Sequence, residues 1–224
     1  MAETLVTARQ IVTPDGWIAA DETWTYASAS TFTVGGDQTD KYKKGTRLKF
    51  TQTTVKYAVV IGSSYGDPNT TVTIAVNDDY TIANAAISAN YYSYTDNPQG
   101  YPHAFSFTST LTGFSGTPTQ DIGYNISGGL VTINYLISGT SNSATFNFTI
   151  PVTPNNFTDG YQAYVCHIKN NGNNWLDQVG AVGIVNSTAT AKVGRLPSSI
   201  TANAYGGFAT SNGKGSYGII TYPF

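Results

Sequence analysis

The stretch Val131–Val152, VTINYLISGTSNSATFNFTIPV, decides how the chain is read. Val131, Ile133, Tyr135 and Ile137 fall on one face of an extended chain. Thr132, Asn134 and Ser138 fall on the other, where Leu136 is the one apolar exception. After the polar break SGTSNS the alternation resumes, with Ala144, Phe146, Phe148 and Ile150 on one face and Thr145, Asn147 and Thr149 opposite. A period of two means a strand with one buried face. Two such runs around a Gly-Ser-Asn loop predict a β-hairpin. The stretch holds no strong acid, base or nucleophile, so its chemistry is that of a wall.

The composition of the whole chain resembles that wall. Of 224 residues only 11% are charged, under half of the ~25% found in ordinary globular chains. The chain is nevertheless 40% hydrophobic with a net charge of -2, whereas disorder joins low hydrophobicity to high net charge. Thr, Ser, Asn and Gly fill the polar positions, which suits strand faces that meet without charge repulsion in symmetric assemblies. So small a net charge gives no long-range attraction to nucleic acid or acidic lipid. A single cysteine, Cys166, excludes an internal disulfide framework and is compatible with a reducing cytosol. The first residues, MAETLVTARQ, lack the basic-then-apolar pattern of a signal peptide. No apolar run approaches the ~20 residues that span a bilayer. The expectation is synthesis in the cytoplasm and no membrane insertion.

Charge divides the chain. After Pro102 the only acidic and basic residues are Asp121, Asp159, Asp177, Lys169, Lys192, Arg195 and Lys214. That shift predicts two domains, 1–98 and 99–224, joined inside the Tyr-, Pro- and Gly-rich stretch from Asn90 to Ala104. In the first, strands are expected at 23–26, 31–34, 46–52, 55–65 and 70–76, with a turn at 66–69 and a short helix at 82–87. Such a set suggests a small barrel of SH3 or OB type. In the second, strands are expected at 105–110, 121–126, the opening hairpin, 161–170, 179–186, 189–196, 200–210 and 215–223. Their spacing suggests a β-sandwich of jelly-roll type. The fold class is therefore all-β.

Candidate chemistry is sparse. Cys166 and His167 are neighbours, but adjacent residues on a strand point to opposite faces, so no thiolate–imidazole dyad is expected. Two histidines and one cysteine without ligand spacing give no metal site. Asp37, Asp40, Asp78 and Asp79 follow predicted strands, where aspartate turns are common, and the calcium-loop spacing is absent. Lys41, Lys43, Lys44, Arg47, Lys49 and Lys56 form the one basic concentration, interleaved with Tyr42, Phe50 and Tyr57. On an OB-like barrel that pattern raises a nucleic-acid surface. Asp37, Asp40, Asp67, Asp78 and Asp79 in the same domain weaken its field, and Arg47 and Lys49 lie opposite Leu48 and Phe50, so the expectation is a solvated strand face and no nucleic-acid partner. No phosphate-cradling glycine loop appears, and no cofactor is expected. The best binding candidate is aromatic. Trp175 sits in NNGNNWLDQ, where its ring could stack on a sugar while Asn173, Asn174, Asp177 and Gln178 bond the hydroxyls. Packing of Trp175 in the core or at a subunit interface is the alternative. Tyr91, Tyr92, Tyr94 and Tyr101 crowd the expected linker.

Two stretches resemble a known group. Gly16–Ile74 contains ETWTYAS, KYKKGTRLK and TVKYAVV, and it resembles a small β-barrel domain of tail and other virion structural proteins of tailed bacteriophages. Ile122–Pro151, IGYNISGGLVTINYLISGTSNSATFNFTIP, is similar to the C-terminal β-sandwich of many such proteins. Together they cover a little under half of the chain, in the same order. The resemblance implies a non-enzymatic virion part of tail-fibre, tip or baseplate type. It implies a part that is commonly homotrimeric, contacts other virion proteins and is displayed on the particle, with a role in adhesion to a host-surface glycan. It carries no catalytic residue across. The alternatives are a capsid-decoration or head-fibre protein and a free-standing carbohydrate-binding module. An enzyme acting on polysaccharide would need two carboxylates ~5–10 Å apart across a groove.

Overall fold

The period-two alternation is realised along the strands that carry it. Val131, Ile133, Tyr135 and Ile137 are all buried and Leu136 is exposed, as are Leu48 and Phe50 buried in the first half of the chain. The computed structural model describes residues 14–155, 157–158, 160–172, 179–195 and 207–224. Among these there is no helix, and sixteen strands form two curled antiparallel sheets, so the protein is all-β. The chain divides into two units between Phe105 and Ser106.

The first sheet contains β1 (Ile18–Ala19), β2 (Thr25–Ser28), β3 (Thr31–Gly35), β4 (Arg47–Gln52), β5 (Thr54–Gly66), β6 (Asn69–Val76) and β7 (Ser88–Ser93). Their order is β1-β7-β4-β5-β6-β3-β2. The edge strands β1 and β2 are joined by 20–24 alone. That link reaches at most roughly 22 Å, whereas seven flat strands would be roughly 29 Å wide. The sheet therefore has to curl, and it closes around Trp24, Phe32, Tyr42, Leu48, Phe50, Val60, Val72 and Ile74. Trp24 stacks on Phe32 at 4.4 Å between ring centroids and meets Tyr42 edge-on at 5.8 Å.

Two expectations for this unit are corrected. Residues 82–87 are not helical. So short a segment cannot recover the cost of helix nucleation. Instead Ile82 and Ile87 are buried in the core, and the Gln52 amide takes over the backbone groups between them. It accepts from the Ala83 N–H at 2.9 Å and donates to the Ala83 and Ala85 carbonyls at 3.0 Å each. The Tyr-rich stretch from Asn90 is not simply a linker either. Tyr92 pairs with Ile18 and Leu48, and Tyr91 with Ala19 and Lys49, so these tyrosines belong to the first sheet.

The second sheet contains β8 (Phe105–Ser106), β9 (Leu111–Thr112), β10 (Phe114–Ser127), β11 (Leu130–Ser141), β12 (Asn147–Thr149), β13 (Tyr161–Lys169), β14 (Val179–Val185), β15 (Thr190–Arg195) and β16 (Gly213–Pro223). Their order is β8-β10-β11-β16-β13-β14-β15-β12-β9. The hairpin expected within Val131–Val152 does not form. β11 lies between β10 and β16, and β12 lies between β15 and β9. The two runs face each other instead, with the Tyr135 and Phe148 rings 5.0 Å apart across the interior. The hairpin that does form joins β10 to β11 through Gly128 and Gly129, at φ 58 and 78. Two positive-φ residues suit the I′ turn that matches strand twist. Of 200–210, expected as a strand, 200–206 lie outside the described residues and 207–210 are irregular. The sheet curls back toward itself, because β9 at one edge is separated by Gly113 alone from β10, which lies next to β8 at the other.

Candidate functional site

The glycan candidates Asn173, Asn174, Trp175, Asp177 and Gln178 lie outside the described residues. The other candidates can be placed. Asp37 accepts from the Thr39 N–H and hydroxyl, Asp79 from the Asn77 amide, and Asp67 from the Tyr65 hydroxyl at the end of β5, each from a residue two positions away. Among the described residues no group of three or more His, Cys, Asp and Glu is arranged to hold a metal ion. Cys166 is buried while His167 faces out, and burial pushes the Cys166 thiol up. The two side chains are on opposite faces, as a strand requires.

Of the basic concentration only Lys43 and Lys44 are exposed, and the cations on the strands do not form a solvated face, which corrects the expectation there. Arg47 is only 3% exposed. It donates to the Gly45 carbonyl at 3.0 Å and pairs with Asp96 at 3.2 Å. Lys56 turns to the core side and donates to the Thr81 carbonyl at 2.6 Å. Lys41 pairs with Glu22 at 2.8 Å. Lys49 lies 4.7 Å from the Trp17 ring and 4.5 Å from the Tyr91 ring, and Arg47 lies 5.3 Å from the Tyr101 ring. The reason is that Trp17, Tyr91 and Tyr101 lie over these cations, and aromatic faces attract them. Trp17 is anchored by its indole N–H donating to the Gln99 carbonyl at 2.8 Å.

The open site is on the second sheet. β10, β11, β16 and β13 lie side by side, and their outward side chains line a groove of about 730 Å³. Register builds it in rows. One row runs Asp121, Leu136, Tyr217, His167, since Asp121 pairs with Leu136, Leu136 with Tyr217, and Tyr217 with His167. The next row along β10, β11 and β16 runs Gly123, Asn134, Ile219. Val165 stands beside it on β13 and, like Gly123, lines the groove. The aliphatic members are well exposed: Val165 73%, Ile219 59% and Leu136 39%, with Val179 on β14 at 50%. His167 and Tyr217 stack flat at 4.6 Å. Asp121 and Asn134 are exposed.

The sequence carries only part of a signal for this groove. Leu136 breaks the polar parity of its strand, and Val165 and Ile219 are apolar at outward positions of theirs, beside His167 and Thr221. Only the order of the strands shows that the three residues are neighbours. No family model, curated protein or solved structure matches the chain.

Proposed function

We propose that this protein is a non-enzymatic structural component of a tailed-phage virion. It works as a homotrimer that contacts other virion proteins and presents its second unit at the particle surface. The observation that carries the reading is the outer face of the second sheet. It exposes Leu136, Val165, Val179 and Ile219 on strands whose other outward residues are mostly small, polar or aromatic, with Lys169 as the one formal charge among the described residues. Contiguous exposed apolar surface of this kind marks an interaction site. A face nearly free of charge suits contact between identical copies, where charges of one sign would otherwise meet. The resemblance of Gly16–Ile74 and Ile122–Pro151 to virion proteins supports the setting. A capsid-decoration or head-fibre location fits the same features.

A second reading, a carbohydrate-binding module, is favoured by Asp121 and Asn134. Their polar ends stand beside the aliphatic and aromatic floor, where they could bond hydroxyls of a sugar lying on it. The native mass of the purified chain, measured by light scattering over a range of concentrations, separates the two. A trimer is expected. A monomer that binds oligosaccharide would replace the first reading with the second.

A further inference from the structure

We infer that the outer face of β10, β11, β16 and β13 is the surface through which copies of the second unit pack around a common axis, with Asp121 of one copy beside His167 of the next. The inference rests on the trimeric reading above and goes beyond it by naming the surface and its register.

Charge placement is the first argument. The outward positions of β11 (Leu130, Thr132, Asn134, Leu136, Ser138 and Thr140) carry no charge. Those of β16 carry none either, since Lys214 points inward and is fully buried. On these four strands the charged outward groups stand on the outer two, Asp121 on β10 and Lys169 on β13 beside His167, and the apolar surface continues past β13 to Val179, the partner of His167 on β14. An apolar centre with charges at the rim is the anatomy of a protein interface. Here the two outer strands differ in sign, with Asp121 acidic on one and Lys169 basic on the other.

Register is the second argument. Asp121 and His167 belong to one row, because the pairings Asp121–Leu136–Tyr217–His167 run straight across four strands. In a closed ring whose axis runs along the strands, each row keeps its height from copy to copy. The β10 flank of one copy then meets the β13 flank of the next, and Asp121 arrives level with His167. The same rotation brings Leu136 and Ile219, on the two middle strands, toward the axis. A partner of unrelated sequence would not need acid and base at equal height on opposite flanks, whereas a cyclic assembly of one chain does.

The test uses the full-length chain in four forms: unaltered, Ile219→Asp, Asp121→Lys, and Asp121→Lys with His167→Glu. Light scattering over a concentration series gives the midpoint of trimer dissociation, and circular dichroism verifies folding. The altered side chains face outward. Ile219→Asp gathers three carboxylates at the axis and should raise the midpoint at least ~100-fold. Asp121→Lys should raise it about 5-fold, the scale of one exposed charge pair. The double variant should return to within about 2-fold of the unaltered chain. A trimer indifferent to Ile219→Asp would overturn the surface and leave the trimeric reading standing. Additive loss in the double variant would overturn the register. An unaltered chain that is monomeric or dimeric at every concentration would overturn both the inference and the reading beneath it, and oligosaccharide binding lost in Ile219→Asp would then assign the groove to a glycan.

Discussion

At the scale of single residues, Lys214 and Gly113 hold the closure of the second sheet. Lys214 is fully buried, with two carbonyls and three aromatic rings as its immediate contacts. Its ammonium donates to the Ser143 carbonyl at 2.9 Å and the Thr145 carbonyl at 2.5 Å. It lies 4.7 Å from the Phe114 ring, 5.6 Å from Phe208 and 5.8 Å from Phe146. Gly113 passes beneath at φ 99, and a β-carbon there would stand 1.9 Å from the Thr145 oxygen and 2.6 Å from the Lys214 nitrogen. The Thr145 oxygen is backbone, so it cannot swing aside as a flexible side chain would. Gly113→Ala should therefore lose at least about 3 kcal/mol, from the clash, the positive φ and the displaced Lys214 bonds together. Urea unfolding followed by labelling of the buried Cys166 thiol measures it. A change below ~1 kcal/mol would mean that the closure is looser than these distances indicate.

At the scale of elements, two glutamine side chains act where strand pairing stops. Gln52 holds 83–85 in the first unit, as described above. In the second, Gln120 on β10 accepts from the Ser109 N–H at 2.7 Å and donates to its carbonyl at 3.1 Å. The Ser109 hydroxyl in turn donates to the Thr149 carbonyl on β12 at 2.8 Å, so one amide links the two ends of the curled sheet. Gln120→Met keeps the length of the side chain and leaves both backbone groups of Ser109 without this partner. The expected cost is about 1–2 kcal/mol, with faster amide hydrogen exchange at Ser109 and Thr110. Unchanged exchange there would show that β12 is held without the clamp. None of this was legible in the sequence. Alternation tells which face of a strand is buried, and that part was right for Val131–Ile137 and for Phe146, Phe148 and Ile150. It does not tell which strand lies alongside. The SGTSNS loop therefore reads as a hairpin turn in the sequence, whereas the turn that forms is at Gly128-Gly129. β7 is not legible in the sequence because Tyr91 and Tyr92 interrupt the period, and a tyrosine-rich stretch looks like a link until its partners are known. The groove of the candidate site shares that limit, since its residues come from four separate strands.

At the scale of the whole molecule, each unit holds one ionisable group whose pKa folding shifts into a testable pH window, Glu22 in the first and Lys214 in the second. In the first, Glu22 is partly buried, which raises its carboxyl, but bonds from the Lys41 ammonium and the Tyr42 hydroxyl outweigh burial and hold it below its ordinary 4.5. Tyr42 completes the chain by accepting from the Trp24 indole at 2.8 Å, deep in the core. A carboxyl lowered by folding contributes stability that is present above its unfolded pKa and lost as pH falls through the folded one. The first unit should therefore weaken as pH drops below about 4.5, and Glu22→Gln should flatten that slope. In the second unit, burial pulls Lys214 from 10.5 down to about 8. Between those values the unfolded chain binds the proton more tightly than the folded one, so stability rises with pH across that window. Lys214→Met should remove the rise, making the gap between unaltered and variant chains widen from pH 8 to pH 10. The two units can be followed separately. With Trp175→Phe the remaining tryptophans, Trp17 and Trp24, both report the first unit, while Cys166 labelling reports the second. Acid should move the tryptophan transition through Glu22, and mild alkali should move the thiol transition through Lys214. A Glu22→Gln chain that keeps the full acid slope, or a Lys214→Met chain that keeps the alkaline rise, would transfer that response to another group. If each variant flattens its own slope and leaves the other unit's untouched, the two closed cores are energetically separate, and the outer face of the second sheet can be altered without disturbing the first.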